Sequence, residues 1–307
     1  MVTSHNRCLV IQLPSSSPTT LTSDIDSLKS VCNTVSQAKN TTNSLLGIHL
    51  EGPYINELYK GAQNENYIRE PNINELKELI NISNNDIKIV TLAPELDSNM
   101  EFISYCKNNN IITSAGHTNA TFDDIDLAIK SGLTNITHVH NQMSKYENRN
   151  PGVVTASMYY DDLFVECICD LIHVDKNTLK AYYKIIGNNR FMIITDSLSV
   201  KHKNIDEFML YGIHCIKKNN ACYIKDTNKL AGSILYMNQA LKNMKEVCDL
   251  SLIDLAKISS YNQAKSLKLN NIGEIKIGKI ADLVLLDNDF NIKYVYKNGK
   301  LVYKCWN

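Results

Sequence analysis

The stretch IKIVTLAPELDSNMEFISYCKNNNIITSAGH (87–117) decides the fold class of this chain. It opens with an apolar run (87–92), continues with a helical pattern near 98–109, and closes with a second apolar run (111–115). Short apolar runs separated by a helix are typical of a β-α-β unit, in which the two strands lie parallel. His117 follows the second run after a single glycine, Gly116, so a chemically useful side chain follows a predicted strand.

The same alternation continues on both sides of this stretch. The other apolar runs lie at 45–50, 134–137, 163–170 and 190–195. The other helical patterns lie near 24–40, 72–82, 122–131, 152–160 and 175–186, and Ser23 or Asp24 is placed to cap the first of them. Repeated strand–helix units predict an α/β fold of the TIM-like (β/α) barrel type.

The pattern changes after Asp196. The segments EFMLYGIHCI (207–216) and ACYIKD (221–226), separated by KKNN, predict a hairpin, and 236–268 returns to a helical pattern. The tail alternates apolar and polar residues, as antiparallel strands do. We therefore predict a (β/α) barrel catalytic domain over 1–268 and a small β appendage over 269–307.

Composition excludes several classes of protein. The 307 residues include 32 basic and 32 acidic side chains, and a chain without net charge is a poor nucleic-acid binder. No apolar run approaches the roughly 18 residues that cross a bilayer, and the first residues lack a signal-peptide pattern. The nine cysteines are scattered without a C-x-x-C pair, which favours free thiols in a reducing cytosol. We expect a cytoplasmic protein with neither a nucleic-acid nor a membrane partner.

Polar side chains follow most of the predicted strands. Glu51, His117 and His138 each come after an apolar run, and in a barrel such positions converge on one mouth. One carboxylate and two imidazoles form a ligand set for a divalent metal ion, with a position left for water. The alternative is that Glu51 pairs with a lysine while both histidines are hydrogen-bonded interior groups.

Three further residues suggest chemistry beside this ligand set. Asp196 follows a late strand, where it could act as general base towards water, although it could also only cap the departing chain. His173 and Arg149 could hold an anionic or hydroxyl-rich substrate, because the arginine fork suits phosphate. Arg149 could equally be a solvated loop charge.

Long motifs in the chain resemble one known family. They are GIHLEGPYI (47–55), KGAQNENYIR (60–69), VTLAPE (90–95), SAGHTNATFDD (114–124), THVHNQMS (137–144), RNPG (149–152), DLIHVD (170–175), IITDSLS (193–199), LAGSILYM (230–237) and GEIKIGKIADLVLLD (273–287). In these segments the chain resembles the N-acetylglucosamine-6-phosphate deacetylases of the amidohydrolase superfamily, in family order and over most of its length.

The resemblance implies a function and a set of site residues. Glu51, His117 and His138 match the metal ligands, Asp196 matches the catalytic aspartate, and His173 assists it. The positions that match substrate contacts are Ala62, Asn141, Gln142, Arg149, His173, Leu230, Ala231 and Gly232. The implied reaction is the metal-dependent hydrolysis of N-acetyl-D-glucosamine 6-phosphate to D-glucosamine 6-phosphate and acetate, in amino-sugar catabolism. The implied cofactor is one divalent ion, zinc or else iron(II), and the implied assembly is a homodimer.

The chain also departs from the family pattern. Family members begin with half of a β-sandwich and a first barrel strand, and the similarity here starts after both, so we expect a barrel without its first strand and a partial sandwich at the C-terminus. Gln63 stands where many relatives have histidine, while Leu171 and Gln142 replace smaller residues and add bulk near the pocket. Two alternatives remain open: a catalytically impaired homologue that only binds metal or sugar phosphate, and an amidohydrolase for another N-acyl substrate.

Overall fold

A computed structural model describes residues 9–11 (backbone only), 16–42 and 44–305. Strand β1 (Leu9–Ile11) belongs to a small sheet, and the next six strands form a parallel sheet in chain order. These six are β2 (Ile48–Glu51), β3 (Ile87–Leu92), β4 (Ile112–Ala115), β5 (Asn135–Ile136), β6 (Phe164–Ile168) and β7 (Phe191–Ile194). The α/β fold predicted from the alternating pattern is confirmed.

Helices connect these strands. They are α1 (Ile25–Lys39), α2 (Ile73–Ile82), α3 (Glu101–Asn108), α4 (Phe122–Ser131), α5 (Val153–Tyr159) and α6 (Lys176–Ile186). Asp24, rather than Ser23, caps α1 by accepting the backbone N–H of Ser27 at 2.8 Å. The predicted helix over 236–268 is divided into α7 (Met237–Cys248), α8 (Leu252–Ala256) and α9 (Asn262–Ser266), with a π-helical segment (Lys257–Tyr261) between the last two.

The parallel sheet curls. Strands are about 4.8 Å apart, so β2 and β7 in a flat sheet would be about 24 Å from one another. Nevertheless Glu51 at the end of β2 and Asp196 just after β7 line the same cavity. All four residues of strand β2 are buried, as expected for parallel strands covered on both faces. The curling therefore brings the carboxyl ends of all six strands to one mouth.

The outer side of β2 is partly covered by an extended segment, residues 16–20. The carbonyl of Ser16 accepts the N–H of Leu46, and the carbonyl of Pro18 accepts the N–H of His49. This segment runs parallel to 45–49, with bridges from Ser16 and Thr19. A barrel without its first strand would leave exposed hydrogen-bonding groups along the edge of β2, but here this segment pairs with that edge.

A second, antiparallel sheet follows β7. It consists of β8 (Glu207–Leu210), β9 (Ile213–Lys218), β10 (Ala221–Ile224) and β11 (Leu230–Ser233), each paired with the next. The sequence predicts one hairpin here, with 207–216 as its first arm. That prediction is too simple, because Tyr211 and Gly212 both adopt positive φ and turn the chain between β8 and β9.

The C-terminal tail forms the predicted antiparallel strands, β12 (Leu283–Leu286), β13 (Ile292–Lys297) and β14 (Lys300–Lys304). Strand β1 pairs with β12, so this sheet also includes residues from the start of the chain.

The division into domains over 1–268 and 269–307 stays a prediction. The described cysteines that are free thiols include Cys32, Cys106, Cys167, Cys169, Cys215, Cys222 and Cys248, while Cys8 lies outside the described ranges. Within residues 9–11, 16–42 and 44–305, no helix has the length and apolar character needed to cross a membrane.

Candidate metal centre and substrate cavity

Strand ends position the predicted chemical residues. Glu51 is the last residue of β2, while His117, His138 and Asp196 each stand two residues beyond the end of β4, β5 and β7. The three later residues have φ values of 50°, 31° and 46°, which is the left-handed region that side chains other than glycine rarely adopt. Such strained backbone is concentrated at functional sites, and here it recurs at three strand ends.

Glu51, His117 and His138 bring their donor atoms together. Glu51 Oε1 lies 3.0 Å from His117 Nε2 and 3.7 Å from His138 Nε2, and the two nitrogens are 3.1 Å apart. Donors about 2.1 Å from one tetrahedral metal ion would be about 3.4 Å apart. All three side chains are buried. The donor set and its spacing therefore fit a single divalent ion.

The backbone selects the form of the His117 ring. Nδ1 of His117 lies 2.8 Å from the carbonyl oxygen of Tyr59, which can only accept a hydrogen bond. Nδ1 therefore carries a proton, and the lone pair of neutral His117 lies on Nε2, facing Glu51. A metal-binding histidine needs this arrangement, in which one ring nitrogen donates to a fixed acceptor and the other binds the ion.

The charges at this centre are strongly coupled. Burial opposes ionisation of Glu51, but the adjacent imidazoles of His117 and His138 hold its pKa well below the usual value. Burial also opposes protonation of His138, but the Glu51 carboxylate overrides it and raises the pKa to about 9. The centre thus favours positive charge next to Glu51, which a proton or a metal ion can supply.

Two more side chains face the same centre. Burial raises the pKa of Asp196, and the negative charge of Glu51 adds to this effect. Nδ1 of His173 lies 2.6 Å from Oδ2 of Asp170, whose other oxygen accepts the backbone N–H groups of Ile172 and His173. Although burial opposes it, hydrogen bonding with His173 lowers the pKa of Asp170. The Asp170 carboxylate consequently holds the His173 ring in one orientation.

A cavity of about 240 Å³ connects these groups. Eleven of the twelve predicted site residues line it, namely Glu51, Ala62, His117, His138, Asn141, Gln142, His173, Asp196, Leu230, Ala231 and Gly232. Arg149 does not: it is exposed in the loop before α5, and its role in substrate binding stays a prediction. Gln142 lies over Gly61 and adds bulk to the cavity as expected, whereas Leu171 is not part of the lining.

The structure adds three residues that sequence reasoning did not assign. Lys229 lines the cavity immediately before Leu230, so its place next to a substrate motif was the available signal. Gln63 also lines it, although the sequence marked that position only as a departure from the family. Glu166 on β6 lies in a second cavity of about 250 Å³, which shares Glu51 as a wall. Burial raises the pKa of Glu166 to about 8.

Comparison with known proteins identifies the family. The amidohydrolase family profile matches residues 15–302. The chain is 33% identical over 270 residues to an N-acetylglucosamine-6-phosphate deacetylase of Lysinibacillus sphaericus, with 88% of this chain and 70% of the relative covered. It is 35% identical over 260 residues to the protein of the same name from Bacillus subtilis, with 84% of this chain and 65% of that relative covered. The chain thus spans about two thirds of the length of these relatives.

A solved structure gives the same result. The N-acetylglucosamine-6-phosphate deacetylase of Thermotoga maritima superposes with a TM-score of 0.90 at 34% identity, covering 95% of this chain and 79% of that one. The strand-end ligand set, the curled parallel sheet and these similarities all support the same family assignment. The chain belongs to the amidohydrolase family, in the group formed by N-acetylglucosamine-6-phosphate deacetylases.

Proposed function

We propose that this protein hydrolyses the acetamide of N-acetyl-D-glucosamine 6-phosphate, giving D-glucosamine 6-phosphate and acetate. One observation carries the proposal: three donor atoms spaced for a divalent ion and the Asp196 carboxylate share a cavity with the residues predicted to contact the sugar. The named relatives support the choice of substrate.

Glu51, His117 and His138 would hold the ion, which we propose is zinc, with iron(II) as the alternative. When bound, such an ion polarises a carbonyl group and makes water more acidic. When neutral, the His117 ring has its proton on Nδ1 and its lone pair on Nε2, which is the form that binds metal. Metal analysis of the purified protein by mass spectrometry identifies the ion.

Asp196 would move the proton. Its raised pKa suits a general base, because a carboxylate of higher pKa accepts a proton more readily. The base takes the proton of the attacking water and delivers it to the amine nitrogen as the C–N bond breaks. His173, held by Asp170 through Nδ1, would orient the sugar through Nε2, or would donate a hydrogen bond to the acetyl oxygen when both ring nitrogens carry a proton. Arg149 and the loop of Leu230 would contact the phosphorylated sugar.

Acetate release tests this function. The metal-loaded protein should release acetate from N-acetylglucosamine 6-phosphate, and Asp196→Asn should reduce kcat by about 100-fold or more, the usual contribution of a general base. Asp162→Asn, at an exposed aspartate, is the matched control and should retain full activity. Equal rates for wild type and Asp196→Asn would contradict the mechanism. A folded, zinc-binding protein without turnover would instead indicate a non-catalytic homologue.

Substrate breadth and assembly have separate tests. Turnover of N-acetylglucosamine with and without the 6-phosphate separates the proposed substrate from other N-acyl compounds. We further propose that the enzyme acts as a cytoplasmic homodimer. Light scattering measures the assembly, and cell fractionation measures the compartment.

A further inference from the structure

Gln63 is hydrogen-bonded to Glu51, one of the three proposed metal ligands. It belongs to the loop that follows β2, and the residue is only 4% exposed. Its amide nitrogen Nε2 donates to Oε1 of Glu51 at 3.2 Å, and both partners are buried. Oε1 is also the Glu51 atom that faces His117 Nε2 at 3.0 Å.

The backbone determines which way the Gln63 amide points. The N–H of Thr22 donates to Oε1 of Gln63 at 2.7 Å, and a backbone N–H can only donate. The amide oxygen must therefore face Thr22, which leaves the NH₂ group facing Glu51. Thr22 is completely buried, so no solvent molecule competes for its N–H.

The covering segment 16–20 and the residue two positions beyond it, Thr22, therefore hold Glu51 at two points. Thr20 Oγ1 accepts the backbone N–H of Glu51 at 3.1 Å, and Thr22 fixes the side chain of Gln63, which in turn holds the carboxylate. Both contacts are long-range: Thr20 is 31 positions from Glu51 in sequence, and Thr22 is 41 positions from Gln63. The Glu51 main chain and its side chain are thus anchored separately.

We propose that Gln63 is a positioning residue that orients the Glu51 carboxylate for metal binding. A neutral amide donor fixes the carboxylate oxygen without bringing a positive charge that would repel the ion. Carboxylates that bind metal ions are in general hydrogen-bonded by an outer group, and loss of such a group costs about 10-fold to 100-fold in metal affinity. This inference rests on the metal site proposed above and assigns Gln63 no contact with substrate.

Zinc affinity of the metal-free protein is the first test. Gln63→Met, which keeps the length of the side chain but removes the amide, should raise the zinc Kd about 10-fold to 100-fold in a chelator-competition titration. Gln263→Met is the matched control. Gln263 is a half-buried glutamine whose Nε2 donates to the carbonyls of Ile193 and Ile258, so its loss should affect stability and leave the zinc Kd within threefold of wild type.

Cobalt spectroscopy gives a readout that a purely structural role would not change. In the Co²⁺-loaded protein, Gln63→Met should shift the visible absorption bands, because the carboxylate is no longer held in one orientation. If Gln63→Met does not fold, Gln63→Asn replaces it. The shorter amide cannot reach both Thr22 and Glu51, so its zinc affinity should fall as well.

The outcomes separate the two proposals. A wild-type zinc Kd and an unchanged cobalt spectrum in a folded Gln63 variant would overturn the role of Gln63 and leave the metal site intact. A wild-type protein that fails to bind zinc or cobalt would overturn the metal site itself. Weaker zinc binding by Gln63→Met, with Gln263→Met unaffected, supports the inference.

Discussion

The Nδ1 atom of His117 lies 2.8 Å from the carbonyl oxygen of Tyr59, in the loop that follows β2. Because that oxygen only accepts, the contact commits the ring to a single form with Nε2 facing Glu51 and His138. A candidate metal ligand just after β4 is thus fixed in orientation by the main chain of a different strand–helix unit.

We expect His117→Ala to weaken zinc binding more than the loss of any outer group does, that is, by more than about 100-fold. His214→Ala is the control, because His214 is an exposed histidine that pairs with Glu207 at 2.8 Å. Zinc content after dialysis and competition titration provide the measurement. Retention of zinc by His117→Ala would show that the ion binds elsewhere.

Zinc should also stabilise the folded protein. A ligand that binds only the native state adds about 2.7 kcal/mol to the unfolding free energy at a concentration 100 times its Kd. The midpoint of thermal unfolding should therefore rise on addition of zinc and return to the metal-free value with a chelator. An unchanged midpoint at saturating zinc argues against a native-state site.

The pair formed by Asp170 and His173 gives a kinetic prediction. Asp170→Asn should lower kcat by about 10-fold to 100-fold, because the His173 ring loses the acceptor that fixes its orientation. The zinc Kd should stay within threefold of wild type, since neither residue belongs to the proposed ligand set. If zinc affinity fell by the same factor as kcat, the substitution would be disturbing the whole site.

Glu166 gives a prediction on pH. Its folded pKa of about 8 lies above the ordinary value of 4.5, so between these pH values the folded state binds more protons than the unfolded state. The unfolding free energy of the metal-free protein should accordingly fall as pH rises from 4.5 to 8. Glu166→Gln removes this effect: it should match wild type near pH 4.5 and exceed it at pH 8 by on the order of 2–4 kcal/mol.

Denaturant titrations at pH 4.5 and pH 8 measure the Glu166 effect. Glu147→Gln, at an exposed glutamate, should change neither value. A constant difference between Glu166→Gln and wild type at both pH values would contradict the buried, raised-pKa carboxyl group.

Lys229 gives a prediction on specificity. Among the described residues that line the substrate cavity it is the single lysine or arginine. Lys229→Met should raise the KM for the 6-phosphate substrate about tenfold, the equivalent of 1.4 kcal/mol. The KM for unphosphorylated N-acetylglucosamine should stay the same. Lys225→Met, in the same turn between β10 and β11 but paired with Glu207, is the control, and equal KM changes for both substrates would rule out phosphate recognition.

Much of the fold was predictable because its signals are local. Strand and helix periodicity depends on near neighbours, and the observed bounds of α4 agree with the predicted 122–131. The position of the proposed ligand set was also predictable from the sequence. Parallel strands end on one side of a sheet, so Glu51, His117 and His138 were expected to converge, and they do.

Other features depended on contacts between distant parts of the chain. Periodicity carries no information about the turn at Tyr211, which divides the predicted hairpin, or about the pairing of β1 with β12. Arg149 matched a substrate motif, but the loop conformation leaves it outside the cavity while Lys229 lies on it.

The sequence by itself determined the α/β architecture and the identity of the side chains that form the candidate metal centre, because residue type and local spacing suffice for both. Only the tertiary structure decided how those side chains are held. The Tyr59 carbonyl and the Thr22 N–H are backbone groups that nearly every residue supplies, and Gln63 is one of several glutamines in the chain. They become specific hydrogen-bond partners only when folding brings them within 3.2 Å of the ligands or of one another.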